Sequence, residues 1–103
     1  MNWIARYYDV DWVCTGEPGL RIDYAVHQHD VWTVHVEAVD HDEVAWAVRG
    51  FDRRVIASGS IATLHKVQEK RVAAAMKLGM RVLHEIKAER AEWVAQWDED
   101  DCE

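Results

Sequence analysis

Two neighbouring segments, 31–39 and 43–51, alternate apolar and polar positions with the period of two that marks a half-buried β-strand. One face of the first segment is apolar and consists of Trp32, Val34, Val36 and Ala38. The matching face of the second segment consists of Val44, Trp46 and Val48. The polar segment 40–42 separates them, so the pattern predicts a β-hairpin.

Three further segments have strand character. Segment 3–13 places Ile4, Tyr8, Val10 and Trp12 on one side. Segment 20–27 places Leu20, Ile22, Tyr24 and Val26 on one side. A last strand is expected over about 54–61, and segment 15–19 supplies glycine and proline for a turn. Because all connections are short, the strands should pair in sequence order as an antiparallel meander.

After Thr63, a suitable helix N-cap, the period changes to that of an α-helix. Its apolar stripe consists of Leu64, Val72, Ala75, Gly79, Val82, Leu83, Ile86, Trp93 and Trp97. Gly79 within this stripe should let the helix approach the sheet closely. A helix over 64–97 would be about 51 Å long, whereas a strand of ordinary length covers about 20 Å. The helix should therefore extend beyond the sheet.

These elements predict a single α+β domain over residues 1–97. A meander of four to five strands over about 3–62 is covered on one face by one long helix over about 64–97. Residues 98–103 form an acidic tail that should be flexible. The expected core consists of Trp32, Val34, Val36, Val44, Trp46, Val48, Val72, Ala75, Val82, Leu83 and Ile86.

The end of the helix predicts an assembly. Arg90 falls within the apolar stripe, which indicates that the environment changes near this residue. Trp93 and Trp97 follow it, beyond the reach of the sheet. A partner subunit is the simplest means of burying two otherwise exposed tryptophans, so both are expected at a homodimer interface.

Net charge, the length of apolar stretches and the cysteine content limit the classes of protein to which this chain can belong. The 103 residues carry a net charge of −7, which opposes direct binding to nucleic acid. No stretch is long and apolar enough for a membrane span, and the N-terminus lacks a signal-peptide pattern, so we expect a cytoplasmic protein that does not bind a membrane. The two cysteines, Cys14 and Cys102, are expected to be reduced.

Two charged surfaces are candidates for binding. The acidic residues near predicted turns are Asp9, Asp11, Asp40, Asp42 and Glu43, and they would suit a basic surface of a partner protein. Ordinary turn chemistry also explains aspartate at these positions. The alternative surface is a basic stripe on the helix, made of Lys66, Lys70, Lys77 and Arg81. It would suit a nucleic-acid-associated module, although a helix lying on a sheet needs a solvated side in any case.

Evidence for catalysis or metal binding is weaker. His27 and His29 lie two residues apart, with His35 and His41 nearby, but no cysteine pair or HExxH motif accompanies them. No nucleophile elbow and no phosphate-binding loop is present. We therefore expect no enzyme activity, no metal and no cofactor.

The stretch Val55–Thr63, followed by the helical run Ala73–Ala75 and preceded by Trp32–Val36, resembles small bacteriophage and prophage proteins. In these, a tryptophan-bearing β-meander is covered by one alanine-rich helix, as in several anti-CRISPR proteins and the HicB-type antitoxin fold. The resemblance spans about residues 30–80 and lacks the C-terminal DNA-binding segment of the HicB type. It implies a non-enzymatic inhibitor in the host cytoplasm that blocks the nucleic-acid or partner site of a host protein or complex. A toxin-neutralising immunity protein is the alternative.

Overall fold

The computed structural model describes residues 2–40, 42–62 and 66–101, with side chains described up to residue 90. In chain order the elements are β1 (Asn2–Tyr7), β2 (Val10–Glu17), β3 (Arg21–His29), β4 (Trp32–Ala38), β5 (Glu43–Arg49), β6 (Val55–Ala62) and α1 (Gln68–Asp101). The strands form one antiparallel sheet in the order β1-β2-β3-β4-β5-β6. The α+β meander with one C-terminal helix is thus confirmed, but the predicted number of four to five strands is wrong, since the sheet has six.

The additional strand arises because the predicted strand 3–13 is a hairpin. Tyr8 and Asp9 have φ angles of 57° and 64°, which is the left-handed conformation of a tight hairpin turn. The chain reverses there and pairs β1 with β2. Ile4 was expected on the buried side, but it is 70% exposed because Trp3, Ala5 and Tyr7 occupy the positions that pack on the core.

A β-bulge changes which face of β3 is buried. Ile22 is buried as expected, but Tyr24 and Val26 are only half-buried, and Ala25 and His27 are buried in their place. The register between β2 and β3 shifts between Thr15 and Gly16, so one extra β3 residue is accommodated. Because side chains alternate along a strand, one extra residue reverses the faces beyond it.

The core lies between one face of the sheet and α1. Its buried members are Trp12, Cys14, Ile22, Ala25, Trp32, Val34, Val36, Val44, Val48, Val72, Ala75, Met76, Met80 and Leu83. Most of the predicted core is therefore confirmed. Trp46, Val82 and Ile86 are half-buried and pack against this cluster from its edge.

Gly79 brings the helix close to the sheet, as its place in the apolar stripe predicts. A Cβ atom added there would lie 2.7 Å from Cγ1 of Val34. At its start α1 is attached to β3 by Gln68, whose side-chain oxygen accepts the Ile22 amide at 2.9 Å and whose side-chain nitrogen donates to the Ile22 carbonyl at 2.6 Å. The helix then lies across β3, β4, β5 and β6.

The far part of α1 extends beyond the sheet. Its 34 residues correspond to about 51 Å, and the longest dimension of the molecule is 58 Å. The guanidinium carbon of Arg90 lies 4.9 Å from the centre of the Trp32 ring, and this cation–π contact explains a charged residue within the apolar stripe. The helix continues to Asp101, past the expected end at residue 97. The expected N-cap Thr63 and start Leu64, and the side chains of Trp93 and Trp97, lie outside the described residues.

Candidate functional site

The face of the sheet that points away from α1 is here called the open face. Its central positions belong to Ile4, Val13, Tyr24, Val26, Thr33, His35, Ala45, Ala47, Ser58 and Ser60. Within the described ranges no other helix or strand covers it. Ile4 is 70% exposed and Val13 is 47% exposed, so this face presents apolar surface to solvent. Exposed apolar surface of this kind is typical of contact sites.

A chain of hydrogen bonds crosses the open face from β3 to β4. The Tyr24 hydroxyl is bonded to Nδ1 of His35, and Oγ1 of Thr33 lies 2.9 Å from Nε2 of the same ring. Burial, together with the nearby charge of Arg49, lowers the pKa of His35. A neutral imidazole offers one donor and one acceptor, so both hydroxyls can be bonded and the ring orientation is fixed.

Arg49 lies at the end of β5 beside this chain. Its Nε atom is buried and has no hydrogen-bond partner among the described residues. Arg49 lines a shallow cavity of about 450 Å³ together with Tyr24, Glu37 and the small side chains of Ala45 and Ala47. A half-buried guanidinium can donate hydrogen bonds from its accessible N–H groups to a carbonyl or carboxylate oxygen of a partner.

Burial is also the main cause of the raised pKa of Tyr24. Arg49 acts in the opposite direction and lowers this pKa, whereas the negative charge of Glu37 raises it. The phenol therefore stays protonated at neutral pH and can act as a hydrogen-bond donor.

The predicted acidic residues are not brought together by the structure. The β4–β5 turn carries Asp40 and Asp42, and Glu43 begins β5 with its side chain on the open face. In a meander, successive turns alternate between the two ends of the sheet, so Asp9 and Asp11 lie at the opposite end. Asp11 there faces Arg6 at 3.4 Å in an exposed ion pair. Asp40, Asp42 and Glu43 form the acidic group at the β4–β5 end of the sheet, here called the acidic end.

The basic stripe lies on the helix side of the molecule. Lys70, Lys77 and Arg81 are exposed on α1, and Lys66 is exposed just before the helix begins. Arg81 forms an exposed ion pair with Glu85 at 3.4 Å. The acidic end and the basic stripe thus belong to different surfaces.

The histidines are divided between the two faces. His27 and His29 share the core side of β3, where the two rings lie 5.8 Å apart. His35 lies on the open face, and His41 is outside the described residues. Among the described residues no group of three or more potential ligands is placed to hold a metal ion.

Cys14 is buried, and burial raises the pKa of its thiol, while Cys102 lies outside the described residues. No helix in the described part of the chain has the length and apolar character that a bilayer span requires.

Sequence reasoning missed the grouping of Tyr24 with His35 and Arg49. It assigned Tyr24 to the buried side of its strand, because the bulge at Gly16 was not recognised. The available signal was the alternation of the polar residues His35 and Glu37 along β4. Residues that lie opposite each other in register share one face of the sheet, so the β3 residues paired with these two belong to the polar face. Comparison with protein-family models, with curated proteins and with solved structures finds no match.

Proposed function

We propose that this chain is a protein-binding inhibitor that acts without turnover and docks on its partner through the open face and the acidic end. The observation that supports this most directly is the uncovered sheet face, on which Tyr24 and Arg49 line one shallow cavity. Tyrosine and arginine dominate the binding energy of protein interfaces, because each combines a large contact area with specific hydrogen bonds. Arg49 lines the shallow cavity on this face, so a partner that covers the cavity would contact this side chain.

The acidic end would select the partner. Asp42 is exposed and Glu43 half-exposed, and together with Asp40 they place negative charge along one border of the open face. Complementary charge at the rim of an interface accelerates association and excludes partners of the wrong sign. This negatively charged rim is complementary to a basic surface, such as the nucleic-acid site of another protein.

Two kinds of biological partner would present such a basic surface. The resemblance to anti-CRISPR proteins implies a host defence protein or complex whose nucleic-acid site is blocked. Neutralisation of a toxin by an immunity protein would use the same geometry. Both are stoichiometric binding roles, and the partner captured from cells distinguishes them.

The test compares variants of matched charge. The full chain is immobilised as wild type, as Asp42→Lys/Glu43→Lys, and as Glu85→Lys/Glu89→Lys, which makes the same change of charge on exposed α1 residues. Proteins retained from a bacterial lysate are quantified by mass spectrometry at low and high ionic strength. We expect a protein that is retained by the wild type and by the helix variant but is lost from the acidic-end variant and at high salt.

The alternative role predicts the opposite dependence. A nucleic-acid-associated module would lose its partner in Lys70→Glu/Lys77→Glu and keep it in Asp42→Lys/Glu43→Lys. That result, or equal retention by all variants, would contradict docking through the acidic end.

A further inference from the structure

A second concave surface lies on the helix side of the molecule, away from the open face. It is a cleft of about 610 Å³ between the β1–β2 turn, the end of β3 and the outer side of α1. Val10 and the almost fully buried Met80 form apolar walls, and Tyr8 closes one side. The Tyr8 hydroxyl donates to the Ala73 carbonyl at 3.0 Å, which holds the turn against the helix. The volume is within the range of small-molecule sites.

Basic side chains surround these apolar walls. Lys77 and Arg81 line the cleft on α1, one helical turn apart, and His84 follows them. Among the described residues that line the cleft, Glu85 alone is acidic, and it is engaged with Arg81 at 3.4 Å. That ion pair is exposed, and exposed pairs contribute little, so a ligand anion can compete for the guanidinium. The local excess of positive charge contrasts with the net charge of −7 for the whole chain.

A further basic residue, Lys87, contacts His29, which lines the cleft. Nζ of Lys87 donates to Nε2 of His29 at 2.7 Å, which requires that this nitrogen be unprotonated. Burial lowers the pKa of His29, and the charges of Lys87, His27 and His84 lower it further, whereas the negative charge of Asp30 acts in the opposite direction. Basic groups therefore outnumber acidic groups around the cleft, and an anion bound there would relieve their mutual repulsion.

We propose that this cleft binds an organic anion with an apolar body, of which a medium-chain carboxylate is the simplest representative. The apolar part lies against Val10 and Met80, and the anionic group lies between Lys77 and Arg81. Neither part alone is sufficient: a small anion lacks contact with the walls, and an apolar cation is repelled by the rim. This site is separate from the open face and does not depend on the function proposed above.

Displacement of a fluorescent probe tests the proposal. 1-Anilinonaphthalene-8-sulfonate, an apolar anion that fluoresces in apolar surroundings, is titrated into the full chain and then displaced. We expect octanoate to displace it, whereas acetate and octylammonium at the same concentration do not. Displacement by octylammonium as effective as that by octanoate would overturn the proposal.

Variants then locate the site. Lys77→Glu/Arg81→Glu should weaken octanoate binding, measured by calorimetry, by about tenfold or more, because an attraction becomes a repulsion. Lys66→Glu/Lys70→Glu makes the same change of charge on the basic stripe outside the cleft and should bind as the wild type does. Equal weakening in both variants, or unchanged binding in the first, would place the site elsewhere and overturn the assignment. Lys77→Gln/Arg81→Gln, which removes charge without reversing it, should show an intermediate loss if the reversed variant does not fold.

Discussion

The contact between α1 and the sheet at Gly79 predicts an unusual response to the substitution Gly79→Ala. In an ordinary helix this change stabilises, because alanine has the higher helix propensity. Here the added methyl group would lie 2.7 Å from Cγ1 of Val34, a distance that real Cβ contacts essentially never show. Val34 is fully buried, and its β-branched side chain has few alternative rotamers, so it cannot turn outward into solvent to relieve the contact.

The two effects can be compared in magnitude. The gain in helix propensity is about 1 kcal/mol, and overpacking of a filled core costs about 1–3 kcal/mol. We therefore expect Gly79→Ala to lower the free energy of unfolding by about 1 kcal/mol. Val34→Ala alone should cost about 2 kcal/mol through the cavity that it leaves.

A double-mutant cycle separates clash from propensity. In the Val34→Ala background the new methyl group enters the vacated space, so Gly79→Ala should become neutral or stabilising. The coupling energy should be about 1–2 kcal/mol in favour of the double variant. Urea denaturation followed by tryptophan fluorescence measures all four proteins.

A single result would refute this reasoning. If Gly79→Ala raises the stability by about 1 kcal/mol in both backgrounds, propensity alone decides and the helix does not lie as close to β4 as the structure indicates.

Three other predictions concern the core, the pH response and assembly. Trp46→Ala should cost about 3 kcal/mol, because the ring packs against the core cluster, and an unchanged melting temperature would show that its face is misassigned. The pKa of His29 in the folded chain is lower than its ordinary value of 6.5. The contribution of His29 to the free energy of unfolding is therefore complete above pH 6.5 and is lost as the pH falls through the folded-state pKa. His29→Gln should thus reduce the acid sensitivity of unfolding. A chain that ends at Ala91, and so lacks Trp93 and Trp97, should be monomeric by light scattering where the full chain is dimeric; a monomeric full chain would contradict this.

The sequence predicted the parts of the fold in which one regular pattern continues without interruption. Strands β4 and β5 alternate cleanly, and the helical stripe from Val72 to Leu83 is apolar throughout, so their core faces were assigned correctly apart from the half-buried Trp46 and Val82. These positions are apolar because they pack on a common core, and this packing produces the periodicity of apolar residues in the sequence.

Two local features were not predicted, because they change the pattern of apolar and polar residues very little. The turn at Tyr8 and Asp9 contains no glycine, so β1 and β2 appeared as one strand. The bulge at Gly16 reversed the faces of β3, which moved Tyr24 to the open face. The grouping of Tyr24 with Arg49 depends on both strand register and this bulge, and neither is visible in composition or motifs.

A steric block on the open face tests the central claim most directly. Ala45 lies on this face beside Tyr24 and Arg49, whereas Ala88 lies on α1 at the cleft, so Ala45→Arg and Ala88→Arg introduce the same side chain on opposite sides of the molecule. The affinity of each variant for the protein retained by the wild-type chain is measured by surface plasmon resonance. Docking through the open face predicts that Ala45→Arg weakens binding by about 100-fold or more while Ala88→Arg leaves it unchanged. Wild-type affinity of Ala45→Arg, or loss of binding confined to Ala88→Arg, would contradict it.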